Sequence, residues 1–143
     1  MLSHTLSKFY ERDIRQMIEE ITLFRTEEDI WKVHGTVRNS AGNLALHLIG
    51  GSNHLFGAVL AKTNYVRNRP EEFARKGVPR LELIRGLEDL IPLITKVVSN
   101  LDLDADYPIP FDDAKRSNGY VVVQLLAHLN YHLGQVNYLR RML

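Results

Sequence analysis

A chain of 143 residues fits one domain that buries roughly two-thirds of its unfolded surface, and we predict a single domain over residues 1–143. Its 18 basic and 17 acidic residues leave a net charge of +1, which argues against binding to nucleic acid or to anionic membranes. We see neither a signal-peptide segment nor a continuous apolar run of about 20 residues. A cytoplasmic location without a membrane span is therefore expected.

The chain contains no cysteine. Disulfides, cysteine-ligated metal sites and a cysteine nucleophile are all excluded by that absence. A bound metal ion would need histidine, carboxylate or water as ligands. Any thiol in a reaction would have to arrive with a cosubstrate.

The first half of the chain predicts two long helices. Apolar residues at a period of 3.6 indicate the first helix, from about Ser3 to Leu23. A capped acidic segment, Thr26 to Trp31, predicts a short helical turn. The second helix should begin near Ser40 and end near Lys62. Its Gly50-Gly51 pair weakens the helix but permits close approach of a neighbouring helix.

The second half predicts two more helices. The third runs from about Arg80 to Ser99, and Pro92 inside it should bend or split it. Ser117 should cap the fourth helix, which continues to about Arg141. The run Tyr120–Val123 is strand-like in composition, but the helical period continues beyond it, so we assign it to the helix.

Two long polar connections separate these helices. The first, Asn64–Arg80, leaves the far end of the second helix, roughly 25 Å along the axis from His47. The second, Leu101–Arg116, is rich in aspartate and proline and should be a surface loop that can fold over one end of the domain. The predicted fold is all-α, a four-helix bundle with two long connections.

Three histidines lie on predicted apolar helix faces. His128 and His132 are four residues apart, so their imidazoles point the same way. His47 occupies the inward face of the second helix. Three neutral imidazoles with an open position would form a catalytic type of metal site, suited to zinc, nickel, cobalt or iron. The alternative for His47 is a core histidine that is hydrogen-bonded to Asn43, one turn away.

The other histidines have simpler interpretations. His54 lies about 10 Å along the axis from His47, so both cannot bind one ion, and we interpret it as a pocket or interface residue. His4 and His34 should be surface residues.

Known catalytic motifs are missing. Leu129 stands where a zinc protease helix would carry its glutamate base, so this is not an H-E-x-x-H site. A base would have to be metal-bound water or one of four side chains: His54, Tyr107, Asp112 and Asp113. Gln124, one turn before His128, should line the approach to the site, unless it only bonds a neighbouring helix. We expect access down a cleft between the second and fourth helices, past Gln124, Tyr120 and Gly50-Gly51.

Two segments carry a resemblance to a known family. They are Asn43–Gly57, followed by Tyr65–Arg69, and Leu126–Arg140, which contains His128-Leu-Asn-Tyr-His132. Together they resemble the DinB/YfiT-like superfamily of metalloenzymes over nearly the whole chain. The resemblance implies an up-down-down-up four-helix bundle, often a homodimer. It also implies one divalent ion on His47, His128 and His132. From their positions in the sequence, we take Gln124, His54, Asn43 and Tyr107 as candidates for contacts with the substrate or with the metal-binding histidines.

The resemblance leaves the reaction open. Relatives include thiol S-transferases and a thiol-dependent isomerase that use thiols such as bacillithiol or mycothiol, and others have no assigned reaction. Fold and ligand set do not fix chemistry. We favour a metal-dependent S-transferase that acts on a small molecule with a low-molecular-weight thiol. A metal-dependent hydrolase and a non-catalytic bundle remain alternatives.

Overall fold

The computed structural model describes every residue from Met1 to Leu143 and contains helices but no strands. The predicted all-α class is confirmed. Five helices are present, with a 3₁₀ turn between the first two and a π-helical continuation of the second. Their bounds are α1 Leu2–Leu23, the 3₁₀ turn Glu28–Trp31, α2 Ala41–Ser52 with its π segment Asn53–Ala61, α3 Arg69–Ala74, α4 Arg80–Ser99 and α5 Asn118–Met142.

Four long helices share one hydrophobic core of 22 buried residues. Both α1 and α2 pack against α4 and α5. The predicted apolar stripes face this core, because residues three or four apart lie on one side of a helix. The serine caps also form as predicted. Ser40 and Ser117 each accept a hydrogen bond from the backbone N–H three residues later, at 3.1 and 3.0 Å.

Two details of the long helices differ from the prediction. α4 is not split, since it runs unbroken through Pro92. The last nine residues of the second helix are wound as a π-helix, and Lys62 ends it in the left-handed conformation with φ 58°. The sequence analysis assigned this stretch to an ordinary helix, because π-helical winding is rare and the apolar pattern gives no separate sign of it.

The first connection is the main correction to the predicted fold. It is not a loop remote from His47, because it contains α3, which packs against α2. Residues 62–68 lack helical structure and can cover about 23 Å when extended. That length matches the roughly 21 Å of helix between His47 and Ala61. The chain therefore turns at Lys62 and returns alongside α2.

The second connection closes over the π-helical end of α2. Two isolated antiparallel bridges shape it, one between Asp106 and Ser117 and one between Phe111 and Ala114. Tyr107 is 3% exposed and donates a hydrogen bond to the Leu55 carbonyl at 2.7 Å. The loop is therefore fixed against the helix by a buried side chain, as the prediction that it folds over one end required.

One segment, Ala41–Ala61, is long and apolar enough to cross a membrane by length and composition alone. The sequence analysis expected no apolar segment of this length, and that expectation was wrong. Half of that segment is buried within the protein, as in the core helix of a globular domain, and it carries His47.

Candidate metal centre

Three histidine side chains from two helices converge at one point. The Nε2 atom of His128 lies 2.8 Å from that of His132 and 3.4 Å from that of His47. All three candidate ligand atoms lie within 4.8 Å of one another. The structure therefore brings together the three residues that the sequence analysis singled out, in a group close enough to hold a metal ion.

The separations fit a common ion. Two nitrogen ligands that are each about 2.0–2.1 Å from one ion lie roughly 2.9 to 3.4 Å apart for bond angles between 90° and tetrahedral. The two short Nε2 separations fall close to this range. Imidazole nitrogens are ligands that suit zinc, nickel, cobalt and iron. The donor set is therefore compatible with a divalent transition metal.

Glu72 fixes the orientation of His47. The Nδ1 atom of His47 lies 3.0 Å from the Glu72 carboxylate, which is itself buried. Arg67 donates two hydrogen bonds to the same carboxylate, at 2.9 and 3.0 Å. With its Nδ1 proton directed at Glu72, His47 presents the Nε2 lone pair to the other two histidines. Metal-binding histidines characteristically have such a carboxylate behind them.

Asn43 acts on His47 only indirectly. The alternative considered for His47, a hydrogen bond to Asn43, is not formed, because Glu72 occupies that position. The Asn43 amide instead donates to the carbonyls of Glu72 and Arg75, both at 2.9 Å. It therefore ties α3 to α2 and holds the backbone that carries Glu72.

The glycine pair in α2 makes room for this arrangement. A Cβ atom on Gly50 would overlap the carboxylate of Glu72, and one on Gly51 would come within 3.2 Å of the Arg67 guanidinium. The predicted close approach is therefore real. The partner is a short helix and the extended segment before it, rather than one of the long helices.

The second imidazole with a defined Nδ1 partner is His132. Its Nδ1 atom lies 2.7 Å from the Gln135 side-chain oxygen, so an Nδ1 proton can be donated there and Nε2 left free. His128 has no such partner. Two of the three rings are thus held in the tautomer that metal binding through Nε2 requires.

The environment also keeps the three rings neutral. Burial lowers the pKa of His47, and the hydrogen bond to Glu72 opposes that shift. Burial lowers the pKa of His128 to about 4, assisted by the neighbouring histidines and by the charges of Arg67 and Arg69. Burial likewise lowers the pKa of His132. Neutral imidazoles have the lone pairs that a metal ion needs.

An open cavity of about 350 Å³ reaches the centre. His47 and His128 line it, as do Gln124 and Asp112, and its apolar wall comes from α1, α2, α4 and α5. This volume is within the range of small-molecule sites. Gln124 is exposed rather than sealed in the core, so the centre is accessible from solvent through the cavity.

Several predicted site residues lie elsewhere. His54 and Tyr107 do not line the cavity, and the hydroxyl of Tyr107 is committed to the Leu55 carbonyl. Asp112 lines the cavity but Asp113 does not. Of the expected cleft residues, Gly51 and Gln124 face the cavity, whereas Gly50 lies under Glu72 and Tyr120 is outside. His4 and His34 are exposed, as expected.

Sequence reasoning missed Glu72 and Arg67. Both stand in a segment without helical periodicity that was interpreted as a polar connection. One available signal was the cap Asn68 followed by Pro70 and two glutamates, a common start of a helix. The pairing of Glu72 with His47 is long-range, and nothing in the local sequence specifies it.

The fold and the site together define an all-helical protein with a solvent-accessible three-histidine centre. Comparisons with protein-family models, curated proteins and solved structures gave no match.

Proposed function

We propose that the protein is a divalent-metal-dependent enzyme of the DinB-like type, with thiol S-transfer as its reaction. The single observation that carries the proposal is the convergence of three neutral imidazoles, two of which line an open cavity. A structural metal site has a closed ligand set, whereas a catalytic site keeps a position for substrate. In this proposal the four long helices form an up-down-down-up bundle, to which α3 is an addition.

His47, His128 and His132 would hold the ion, which could be zinc, nickel, iron or cobalt. When bound, a divalent ion lowers the pKa of a thiol and favours the thiolate, the nucleophilic form. The chain's own part is to set the geometry. Glu72 and Gln135 orient two of the imidazoles, and the apolar wall of the cavity can hold the hydrocarbon part of a substrate beside them.

In the proposed S-transfer, one bond to sulfur forms, one bond to the leaving group breaks, and one proton is released. The sulfur of a low-molecular-weight thiol of the bacillithiol type forms a bond to an electrophilic carbon of the second substrate. The leaving group departs with the electron pair of its broken bond. The thiol proton passes to water or to Asp112, the only carboxylate that lines the cavity. The absence of cysteine from the chain means that no protein thiol competes with the cosubstrate.

Asp112 also favours a second candidate, a metal-dependent hydrolase. A carboxylate beside a metal centre can accept a proton from an attacking water. Such an enzyme would cleave an ester or amide without any thiol. The non-catalytic bundle is disfavoured by the cavity, because a core histidine cluster with no function would not need access to solvent.

We propose a cytoplasmic homodimer with a small-molecule substrate and no nucleic-acid or membrane partner. The near-neutral charge of the chain supports the last two statements, because both partners are attracted by a strong positive field.

Turnover assays test the reaction class. Metal-loaded protein should consume alkyl or aryl halides and epoxides only when a low-molecular-weight thiol is present. His128→Ala should abolish the reaction. His54→Ala, which removes a histidine from the same domain but not from the cavity, should leave it unchanged. Thiol-independent cleavage of esters would favour the hydrolase, and equal rates in wild type and His128→Ala would contradict both enzymes.

A further inference from the structure

One arginine of the cavity has no carboxylate partner. Arg67 and Arg69 both line the cavity. Arg67 is bound through two nitrogens to Glu72, which neutralises its charge. Arg69 makes no ion pair, and its guanidinium carbon lies 5.6 Å from the centre of the Phe73 ring. The Arg69 charge is therefore available to a molecule in the cavity.

The rest of the cavity wall is largely apolar. Leu48, Leu90 and Ile94 are buried side chains that line it. The polar side chains of the lining are the histidines, the arginines, Gln124, Ser52, Asp112 and Tyr10, whose hydroxyl is bonded to the Val122 carbonyl. An apolar wall stabilises a hydrocarbon body, whereas a buried anion without a partner is strongly disfavoured. An anionic group of a ligand should therefore lie where the unpaired cation is.

We propose that the cavity binds an amphipathic anion, with its apolar body against the wall formed by the four long helices and its carboxylate or phosphate group at Arg69. The planar guanidinium fork matches either group through paired N–H donors. Asp112 is the only acidic side chain of the cavity and opposes this binding. The assignment of this anion as the substrate or cosubstrate rests on the proposed function, whereas the binding subsite itself does not.

Matched ligand pairs test the subsite by calorimetry on zinc-loaded protein. ω-Mercaptohexanoate should bind about fivefold more tightly than ω-mercaptohexanol, as expected for one partly exposed ion pair. Arg69→Gln should remove this difference and leave the affinity for the alcohol unchanged. Arg85→Gln, which alters an exposed arginine outside the cavity, should preserve it. Higher salt should reduce the difference in wild type.

A second set of ligands separates this inference from the thiol chemistry. Hexanoate, hexyl phosphate and hexanol contain no thiol. Comparing the affinities for hexanoate and hexyl phosphate shows which of the two anionic groups the subsite prefers. An anion preference that depends on Arg69 supports the subsite even if no thiol binds, an outcome that would count only against the proposed function. A preference that is absent from wild type, or unchanged in Arg69→Gln, would overturn the inference.

A variant of Asp112 should change the affinity for anions in the opposite direction to Arg69→Gln. Asp112→Asn removes the negative charge, and asparagine tolerates the positive φ of 52° at this position. Anions should therefore bind more tightly by about two- to fivefold, while hexanol binds as before. Weaker binding of the anions to this variant would contradict the arrangement.

Discussion

Glu72 is the residue that links the short helix α3 to the candidate metal centre. Its carboxylate accepts hydrogen bonds from His47 and Arg67 at once, so its removal leaves the buried His47 imidazole and the partly buried Arg67 guanidinium without this partner. Glu72→Ala should lower metal affinity by about 10- to 100-fold, the usual effect of losing such a partner. Chelator competition measures this change.

The neighbouring Glu71 supplies the control. It is exposed and one residue away, so Glu71→Gln should leave metal affinity unchanged. Glu72→Gln retains an oxygen that can accept the His47 proton and should bind metal more tightly than Glu72→Ala. Wild-type affinity in Glu72→Ala would show that the carboxylate does not position His47.

Tyr107 has a structural rather than a catalytic environment. Burial raises the pKa of the Tyr107 and Tyr10 phenols well above their ordinary value. The folded protein therefore holds protons that the unfolded chain releases near pH 10, so stability that is fully present below about pH 10 is lost as the pH rises. Denaturant titrations between pH 8 and 11 should show this decline.

Tyrosinate absorbance gives the corresponding check. Two of the six tyrosines should ionise only when the protein unfolds. Tyr107→Phe should weaken the decline at high pH and cost about 1 kcal/mol at neutral pH, through the loss of one hydrogen bond. Ionisation of all six near pH 10 in a fully helical protein would contradict this environment.

The packing of α3 on α2 depends on the absence of a side chain at Gly50. Gly50→Ala should displace the Glu72 carboxylate, and we expect both lower thermal stability and weaker metal binding. Gly134 in α5 is the matched control, because no atom lies within 4 Å of a Cβ built there. Gly134→Ala should stabilise the protein by up to about 1 kcal/mol.

Melting temperatures and metal affinities of the two alanine variants distinguish the effects of packing and helix propensity. If Gly50→Ala is stabilised like Gly134→Ala and binds metal normally, then α3 does not lie against α2 as described. Since alanine favours a helix over glycine at both positions, only a steric conflict can reverse the sign at Gly50.

Features that follow from a periodic pattern in the sequence could be predicted. The long helices follow from apolar periodicity, and the joint orientation of His128 and His132 follows from their spacing of four. α3 has only six residues, too few for a period to be visible. The burial of Glu72 depends on Arg67, on His47 and on the space at Gly50. These residues come together only through tertiary packing, so no local pattern in the sequence predicts their arrangement.

The hydrophobic core of the protein should not depend on the metal. Twenty-two buried residues from the long helices and their connections form one cluster, which can supply the folding free energy without an ion, unlike a zinc finger. Chelation should leave the helical circular dichroism signal intact and lower the melting temperature by only a few degrees. Loss of helix on chelation would instead indicate a structural metal site.

The central claim is that His47, His128 and His132 jointly hold a metal ion, and elemental analysis of purified protein tests it most directly. Wild type should contain about one equivalent of a divalent transition metal. Replacement of any of the three by alanine should lower the content severely, because the two imidazoles that remain bind weakly, while His54→Ala should retain it. Undiminished metal content in all three variants, or no metal uptake by wild type from zinc, nickel, cobalt or iron, would contradict the account.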